Sequence, residues 1–162
     1  MIYTYTYNSP LGTILLQAED EQLTVAGFTE EQTASANEAA SSPVLQKTIL
    51  QLDEYFAGTR QQFDLPLNPA GTAFQQKVWQ QLVQIPFGET ITYLHMAKRL
   101  GNVKSIRAAA SANGKNPLAI IIPCHRVVGA DGKLTGYAGG LHRKQWLLEH
   151  EAKMAGKQSV LF

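Results

Sequence analysis

A sharp change of charge near Leu67 is the feature that most restricts how this chain of 162 residues folds. Residues 1–66 carry nine acidic and two basic side chains, a net charge of −7, whereas residues 67–162 carry four acidic and twelve basic ones, a net charge of +8. The change falls within Asp64–Gly71, whose Pro, Asn and Gly content predicts a linker. We therefore predict two small domains, residues 1–66 and residues 67–162. The positive charge of the second domain favours an anionic partner such as nucleic acid, with an unevenly charged solvated surface as the alternative.

The composition excludes several classes of protein. Hydrophobic residues make up 44% of the chain and charged residues 17%, which rules out a fibre or a wholly disordered chain. The longest obvious apolar run, Leu118–Ile122, is far shorter than the roughly 18 residues of a membrane span. Residues Met1–Tyr7 lack the basic end and apolar stretch of a signal peptide. We therefore expect a cytoplasmic protein without a membrane partner.

Cys124 is the single cysteine of the chain, so any special role would use a free thiol. It cannot form an internal disulfide, and it cannot supply the four thiolates typical of structural zinc. We expect neither a metal nor a cofactor. A lone cysteine is usually an inert, small hydrophobe, and its neighbours must decide between that interpretation and a chemical role.

The first 66 residues predict a small antiparallel sheet covered by one helix. Three runs rich in β-prone residues are separated by turn signals: Ile2–Tyr7, Thr13–Gln17 and Leu23–Phe28. Residues 29–42 have no apolar periodicity, which predicts a loop. A helix is predicted after this loop, because a capping residue is followed by apolar residues at helical spacing and then by a glycine that ends the helix. These residues are Ser42, Pro43, Leu45, Ile49, Leu52, Phe56 and Gly58.

The second domain opens with a helix and then a helix-turn-helix candidate. Thr72 and Gln75 have the spacing of a capping box, and the apolar residues that follow fall on one helical face. Thr92 can cap a short helix that ends near Gly101, and a second helix is predicted over 104–113. Phe74, Val78, Trp79 and Leu82 form the apolar face of the opening helix.

The second helix of this pair carries mostly small side chains and a single long cation, Arg107. Small side chains would let the backbone approach a DNA groove, whereas an Ala-rich composition equally suits a stable, closely packed helix. The helix-turn-helix spacing alone does not decide between these two interpretations.

The segment around Cys124 predicts a reactive thiol. Leu118–Ile122 predicts a buried strand that leads directly into Pro123-Cys124-His125-Arg126. An ordinary thiol is only a few per cent ionised at neutral pH, and a nearby His, Arg or helix start stabilises the thiolate. His125 need not touch the sulfur, since a bridging water or another orientation fits the spacing equally well. A last helix is predicted over 141–153, and its Glu151 either is solvated or completes a Cys, His and acid set.

Taken together, these residues resemble the O6-alkylguanine-DNA alkyltransferases, also called methylated-DNA–protein-cysteine methyltransferases, and most closely the short bacterial Ogt type. The specific motif is Ile122-Pro123-Cys124-His125-Arg126-Val127-Val128. The resemblance is dense from about residue 74 to residue 151, whereas residues 1–66 match only in general plan. The other residues that carry it are Tyr93 in Ile91-Thr92-Tyr93, Arg107, Asn116-Pro117, Gly136–Leu141, Trp146-Leu147-Leu148 and His150-Glu151.

The resemblance implies an α+β fold in two parts. The first is a small, ribonuclease H-like antiparallel sheet with a helix, and the second is a mostly helical, winged-helix-like domain with a helix-turn-helix. The implied function is DNA repair: the protein flips O6-alkylguanine, and also O4-alkylthymine, out of the duplex and transfers the alkyl group irreversibly to its own Cys124, in a single-turnover suicide reaction. The implied partner is double-stranded DNA containing alkylated bases. The resemblance further implies a monomer in solution and leaves cooperative binding on DNA open.

The resemblance also assigns residue roles. Cys124 would attack the alkyl carbon, His125 would take the thiol proton through water, and Glu151 would hold the imidazole. Tyr93 would donate a hydrogen bond to the purine, and Asn116 would brace the loop between the helix and the cysteine. The DNA-binding residues would be Arg107, which enters the duplex, together with Ala108, Ala110 and Ser111. The pocket for the base would use Val127, through its backbone carbonyl, with Tyr137 and Ala138.

Two departures and two alternatives accompany the resemblance. Ala138 stands where some relatives carry Ser, and the N-terminal part has no Cys or His for the structural zinc that some relatives bind. A non-catalytic alkyl-lesion-binding protein of the alkyltransferase-like kind is the first alternative, and the presence of Cys124 weighs against it. A thiol hydrolase that uses Cys124, His125 and Glu151 is the second, and it would leave the helix-turn-helix unexplained.

Overall fold

The chain is described by a computed structural model that covers residues 1–30 and 38–157. It divides into two compact units, Met1–Ala70 and Gly71–Phe162. The first contains an antiparallel sheet with one long helix and the second is mostly helical, so the α+β prediction is confirmed. Within the described ranges, no helix is long and apolar enough to cross a membrane.

The sheet of the first unit has three antiparallel strands in the order β1-β2-β3, as predicted. Asp20 and Glu21 join β2 to β3, and both have positive φ, which suits the twist of a two-residue hairpin. The strands are β1 (Ile2–Ser9), β2 (Gly12–Glu19) and β3 (Gln22–Phe28).

Helix α1 (Pro43–Ala57) packs on this sheet. The Ser42 hydroxyl accepts the Leu45 N–H at 3.3 Å, and Gly58 ends the helix in the left-handed conformation at φ 83°, so both predicted ends are confirmed. Of the loop predicted over 29–42, residues 31–37 lie outside the described residues, and Ala39–Ser41 form a 3₁₀ turn.

Part of the segment predicted as a linker is bonded to the sheet. The Leu23 N–H donates to the Pro66 carbonyl at 2.8 Å, and the Asn68 N–H donates to the Leu23 carbonyl at 2.9 Å. These two bonds form a parallel bridge between Leu23 and Leu67. Composition could not reveal this bridge because its partner lies more than forty residues away in the chain.

The second unit contains the predicted helix-turn-helix. A complete capping box between Thr72 and Gln75 starts helix α2. The Trp79 indole N–H donates to the Ala112 carbonyl at 2.9 Å and ties α2 to the second helix of the pair. Gly101, at φ 87°, makes the turn between the two helices. The helices are α2 (Ala73–Leu82), α3 (Tyr93–Arg99), α4 (Ile106–Gly114) and α5 (Leu141–Met154).

A short parallel pairing brings distant parts of this unit together. Strand β4 (Ile91–Thr92) pairs with β5 (Val127–Val128), with Ile91 opposite Val127. Tyr93 directly follows β4, and the Cys124 turn directly precedes β5. The pairing therefore places the start of α3 beside the cysteine.

The prediction of a strand over Leu118–Ile122 is wrong. The segment is a compact turn in which the Ile121 N–H donates to the Ala119 carbonyl at 2.8 Å and the Ile122 N–H donates to the Leu118 carbonyl at 2.9 Å. Ile120 has φ 71°, a conformation that a β-branched residue rarely adopts. A short apolar run signals burial, and four of these five residues are buried, but it does not signal a strand. A turn, rather than the end of a strand, therefore presents the cysteine.

Candidate active site

Cys124 begins a 3₁₀ turn, Cys124–Arg126, and is buried with 6% of its surface exposed. Its N–H donates to the Ile122 carbonyl at 2.8 Å. The Asn116 amide spans the preceding loop: its Nδ2 donates to the same Ile122 carbonyl at 2.8 Å, and its Oδ1 accepts the Leu118 N–H at 3.0 Å. Asn116 thus lies where a brace for this loop was predicted.

His125 and Glu151 form a buried pair, which is the contact that the resemblance implied. His125 Nε2 lies 2.7 Å from Glu151 Oε2, and both side chains are at most 1% exposed. The other imidazole nitrogen, Nδ1, is buried and has no hydrogen-bond partner in the described part of the chain. The imidazole therefore has one nitrogen held by the carboxylate and one available for a proton.

Arg126 completes this cluster, and the sequence had assigned it no role. Its Nε donates to Glu151 Oε1 at 2.8 Å, and its Nη2 donates to Glu151 Oε2 at 3.1 Å, a two-point contact that fixes the carboxylate in its plane. The remaining nitrogen, Nη1, donates to the Ile85 carbonyl at 2.7 Å. The guanidinium of Arg126, which belongs to the cysteine motif, thus connects α5 to the segment that follows α2.

The charges of this cluster follow from these contacts. Burial alone would raise the pKa of Glu151, but His125 and Arg126 together hold it far below its ordinary range. Burial lowers the pKa of His125, and the charges of Arg126 and Lys144 lower it further, against the opposing pull of Glu151. Because burial outweighs the pull of Glu151 and places the pKa below its ordinary value, His125 is neutral at pH 7. Its Nε2–H then donates to Glu151, which leaves Nδ1 as a base.

The thiol lies beside a buried cation. Burial raises the pKa of Cys124 above its ordinary value, and the Asn116 amide and the Lys144 ammonium act in the opposite direction. Lys144 is fully buried, its Nζ donates to the Thr135 carbonyl at 2.7 Å, and burial lowers its pKa to about 8. Lys144 therefore still carries its charge at neutral pH and stabilises the thiolate over the thiol.

A cavity of about 470 Å³ is lined in part by residues that were predicted to bind the substrate. Burial raises the pKa of the Tyr93 phenol, and the nearby polar side chains of Thr135 and Asn113 act in the opposite direction. The Tyr137 hydroxyl is buried and has no partner in the described part of the chain, while Val127 is fully buried beside the turn. The lining residues are Tyr93, Ala110, Gly114, Thr135, Gly136, Tyr137 and Ala138.

Helix α4 joins this cavity to the protein surface. Arg107, Ala108 and Ser111 are exposed on one face, and Ala110 lines the cavity. Ala109, Ala112 and Asn113 form the buried face. The structure thus places all four predicted DNA-binding residues on or beside the open side of α4.

No metal site is evident around these residues. In residues 1–30 and 38–157, no three side chains of His, Cys, Asp or Glu lie close enough together to hold a metal ion.

Three site residues had no role in the sequence analysis: Arg126, Lys144 and Asn113. The position of Arg126 within the cysteine motif was a usable signal, because a charged residue next to an apolar run must find a partner if it is buried. Lys144 and Asn113 sit within predicted helices, where nothing in their own neighbourhood of the sequence distinguishes them from exposed polar residues.

The fold and the site define a class: a helix-turn-helix unit that carries a buried, cation-stabilised thiol beside a His–Glu pair. Two family descriptions match the chain, "6-O-methylguanine DNA methyltransferase, ribonuclease-like domain" over residues 1–69 and "6-O-methylguanine DNA methyltransferase, DNA binding domain" over residues 73–153. The chain belongs to the 6-O-methylguanine DNA methyltransferase family.

Individual relatives agree with this assignment along nearly the whole chain. A methylated-DNA–protein-cysteine methyltransferase of Methanosarcina acetivorans is 44% identical over 153 residues, which cover 93% of this chain and 98% of the relative. One of Mycobacterium bovis is 44% identical over 165 residues, which cover 100% of this chain and 99% of the relative. The crystal structure of Mycobacterium tuberculosis OGT in complex with DNA matches with a TM-score of 0.85 and 42% identity, covering 94% of each chain.

Proposed function

We propose that this protein repairs DNA by transferring the alkyl group of O6-alkylguanine in a duplex to its own Cys124, once per chain. The observation that carries the proposal is the buried thiol of Cys124, which lies beside a cation and a neutral imidazole and behind the exposed face of a helix-turn-helix. The names of the relatives, and the DNA complex of the M. tuberculosis protein, support the same reaction and DNA as its partner.

Activation of the thiol begins at His125. Its Nδ1 accepts the proton of Cys124, through a water molecule as the resemblance implies, while Glu151, which is itself held by Arg126, holds the ring by its other nitrogen. The imidazolium formed in this step is stabilised by the adjacent carboxylate. Lys144 offsets the negative charge that develops on the sulfur.

The transfer is a single displacement at carbon. The thiolate forms a bond to the alkyl carbon, the bond between that carbon and O6 breaks, and its electron pair passes into the purine ring. The Tyr93 hydroxyl donates to the ring as this charge appears. The guanine anion takes up one proton from water, which balances the proton that His125 took from the thiol, and leaves as intact guanine, while the sulfur becomes a neutral thioether. No group in the described part of the site is suited to reverse a thioether, which supports a single turnover.

Access to the lesion requires that the nucleotide leave the helix. An O6-alkyl group inside a stacked duplex is out of reach of a buried sulfur, so the base must be flipped into the pocket at a cost of a few kcal/mol. The exposed face of α4 would lie in the minor groove, and Arg107 would fill the gap left by the flipped nucleotide. The small Ala108, Ala110 and Ser111 would allow the close approach, and the charge of +8 over residues 67–162 suits the phosphates.

Several finer statements remain expectations from the resemblance. These are action on O4-alkylthymine, a monomeric state, cooperative binding on DNA and a cytoplasmic location. The presence of Cys124 disfavours the non-catalytic lesion-binding alternative.

Intact-mass analysis tests the proposal directly. After incubation with excess duplex containing O6-methylguanine, each chain should gain one methyl group in place of one hydrogen, and peptide mapping should place it on Cys124. Unmodified duplex and the Cys124→Ala variant serve as controls and should show no gain. Continued turnover beyond one transfer per chain, or a wild-type protein without added mass, would refute the proposal.

A further inference from the structure

One wall of the cavity is a loop that belongs to no helix or strand. This pocket loop, Thr135–Gly140, lies directly before α5 and supplies four of the seven lining residues, Thr135–Ala138. The other three lie in helices α3 and α4. Because regular backbone hydrogen bonds hold the helical wall, the position of the pocket loop sets the width of the cavity.

Two neighbouring cations of α5 hold the pocket loop by its backbone carbonyls. Lys144 Nζ donates to the Thr135 carbonyl at 2.7 Å and reaches the Gly136 carbonyl at 3.5 Å. Arg143 Nη1 donates to the Gly139 carbonyl at 3.0 Å. Successive side chains of an α-helix point about 100° apart, since 3.6 residues make one turn. The two cations therefore hold opposite ends of the loop.

The end of the loop at Gly139 is the part that most needs an external contact. Two consecutive glycines form a very permissive stretch of backbone, and Gly140 has φ 96°, a conformation that favours glycine. The Gly140 N–H donates to the Tyr137 carbonyl at 2.9 Å and closes a tight turn. The hydrogen bond from Arg143 fixes the position of this turn, and with it Tyr137 and Ala138 in the cavity wall.

We propose that Arg143 is a positioning residue that determines specificity: by holding the end of the pocket loop on α5, it keeps the cavity narrow and favours methyl over larger alkyl groups. The inference rests on the proposed function, in which this cavity receives the flipped base. A methyl group must be held within reach of the Cys124 sulfur by walls that lie close to it, and a small misplacement slows a displacement strongly. A larger group such as benzyl needs more room, so a wider cavity affects its transfer less.

The first test measures single-turnover rates of Arg143→Met over a range of concentrations of two duplexes, one with O6-methylguanine and one with O6-benzylguanine. Met keeps an unbranched side chain but has no hydrogen-bond donor. The maximal rate with O6-methylguanine should fall about tenfold, the effect of losing one hydrogen bond from a charged group. The rate with O6-benzylguanine should fall by less than about threefold, so the ratio of benzyl to methyl transfer rises. Equal losses on both duplexes, as general destabilisation would cause, would overturn the inference.

Lys153→Met is the matched control for a lost positive charge on the same helix. Lys153 is exposed in the last turn of α5, far along the helix from the pocket loop. Its replacement should leave both maximal rates and their ratio unchanged. If Arg143 instead served only to contact the phosphates of DNA, Arg143→Met would raise the half-saturating concentration of both duplexes and leave the maximal rates unchanged, a result that would overturn the inference.

Hydrogen–deuterium exchange tests the contact itself, without any transfer. The amides of the pocket loop should exchange faster in Arg143→Met than in wild type, while those of α4 keep their rates. Arg143→Gln, whose side chain is too short to keep the same bond to the Gly139 carbonyl, should behave alike and carries both tests if the Met variant does not fold. Unchanged exchange of the loop in the folded variants would contradict the inference. A wild-type protein that transfers no methyl group would instead refute the proposed function, so the two failures are distinguishable.

Discussion

Replacement of Glu151 by Gln should destabilise the second unit severely. Glu151 is 1% exposed, accepts two hydrogen bonds from Arg126 and pairs with His125 at 2.7 Å. Gln keeps the shape of Glu but removes the charge, so the guanidinium stays buried without a counter-ion. Breaking one partner out of a buried ion pair costs about 3–5 kcal/mol, a large fraction of the stability of a small domain.

Tryptophan fluorescence measures this loss in the right place. Both tryptophans of the chain, Trp79 and Trp146, belong to the second unit, so urea unfolding followed by their emission reports on that unit. The free energy of unfolding at pH 7 should fall by about 3–5 kcal/mol in Glu151→Gln. Glu149→Gln, on the same helix, is the matched control and should stay within about 0.5 kcal/mol of wild type, as is usual for surface changes.

The pH dependence gives the prediction a second, independent readout. The pKa of Glu151 is depressed in the fold, so its contribution is fully present above the unfolded value of about 4.3 and is lost as the pH falls through the folded pKa. The pKa of His125 is also lowered, so the unfolded chain takes up more protons below about pH 6.5 and stability falls there as well. Wild type should therefore weaken steadily in acid, and Glu151→Gln should lack the carboxylate part of that decline. A loss below about 1 kcal/mol at pH 7, with an unchanged acid profile, would refute the reasoning.

Three further predictions concern the reaction. The single-turnover rate, measured by stopped flow, should rise with pH above neutrality because burial raises the pKa of the Cys124 thiol. The pH profile of Lys144→Met should be displaced to higher pH, because this variant lacks the ammonium that favours the thiolate. Arg107→Ala should slow repair in duplex DNA more than reaction with free O6-methylguanine, since only the duplex requires flipping; equal losses on both substrates would argue against its role. Affinity for duplex, measured by fluorescence anisotropy, should fall linearly on a log–log plot as salt rises, and a flat plot would exclude contacts to the phosphates.

The helices were predictable from the sequence because their signals are local. Ser42 and Gly58 at the ends of α1, and the Thr72–Gln75 capping box of α2, act within a few residues of themselves. The position of Cys124 was not predictable in the same way. The apolar run Leu118–Ile122 indicates that the segment is buried but does not indicate that it forms a turn. The pairing of Ile91 with Val127 joins segments that are far apart in the chain.

The residues of the site likewise fall into those that the sequence signals and those that only their contacts reveal. Cys124 and His125 stood out because their residue types and spacing carry chemistry, and the resemblance added Glu151, which the structure brings into contact with His125. Lys144 and Asn113 were missed because their importance lies in what they face: the carbonyls of residues 135 and 124. A buried polar residue in an ordinary helix has no distinguishing pattern until the fold supplies its partner.

The charges buried around Cys124 favour the ionised form of its thiol. Burial keeps His125 neutral and Glu151 compensates the charge of Arg126, whereas Lys144 donates to the Thr135 carbonyl and has no ionic partner in residues 1–30 and 38–157. The resting site therefore holds one uncompensated positive charge, and the thiolate is the anion that compensates it. Once Cys124 is a thioether, that anion cannot form again, and Lys144 has no charged partner for a second cycle. The thioether itself is a stable, neutral group, and no side chain in the described part of the site is suited to cleave it, in keeping with a protein used once.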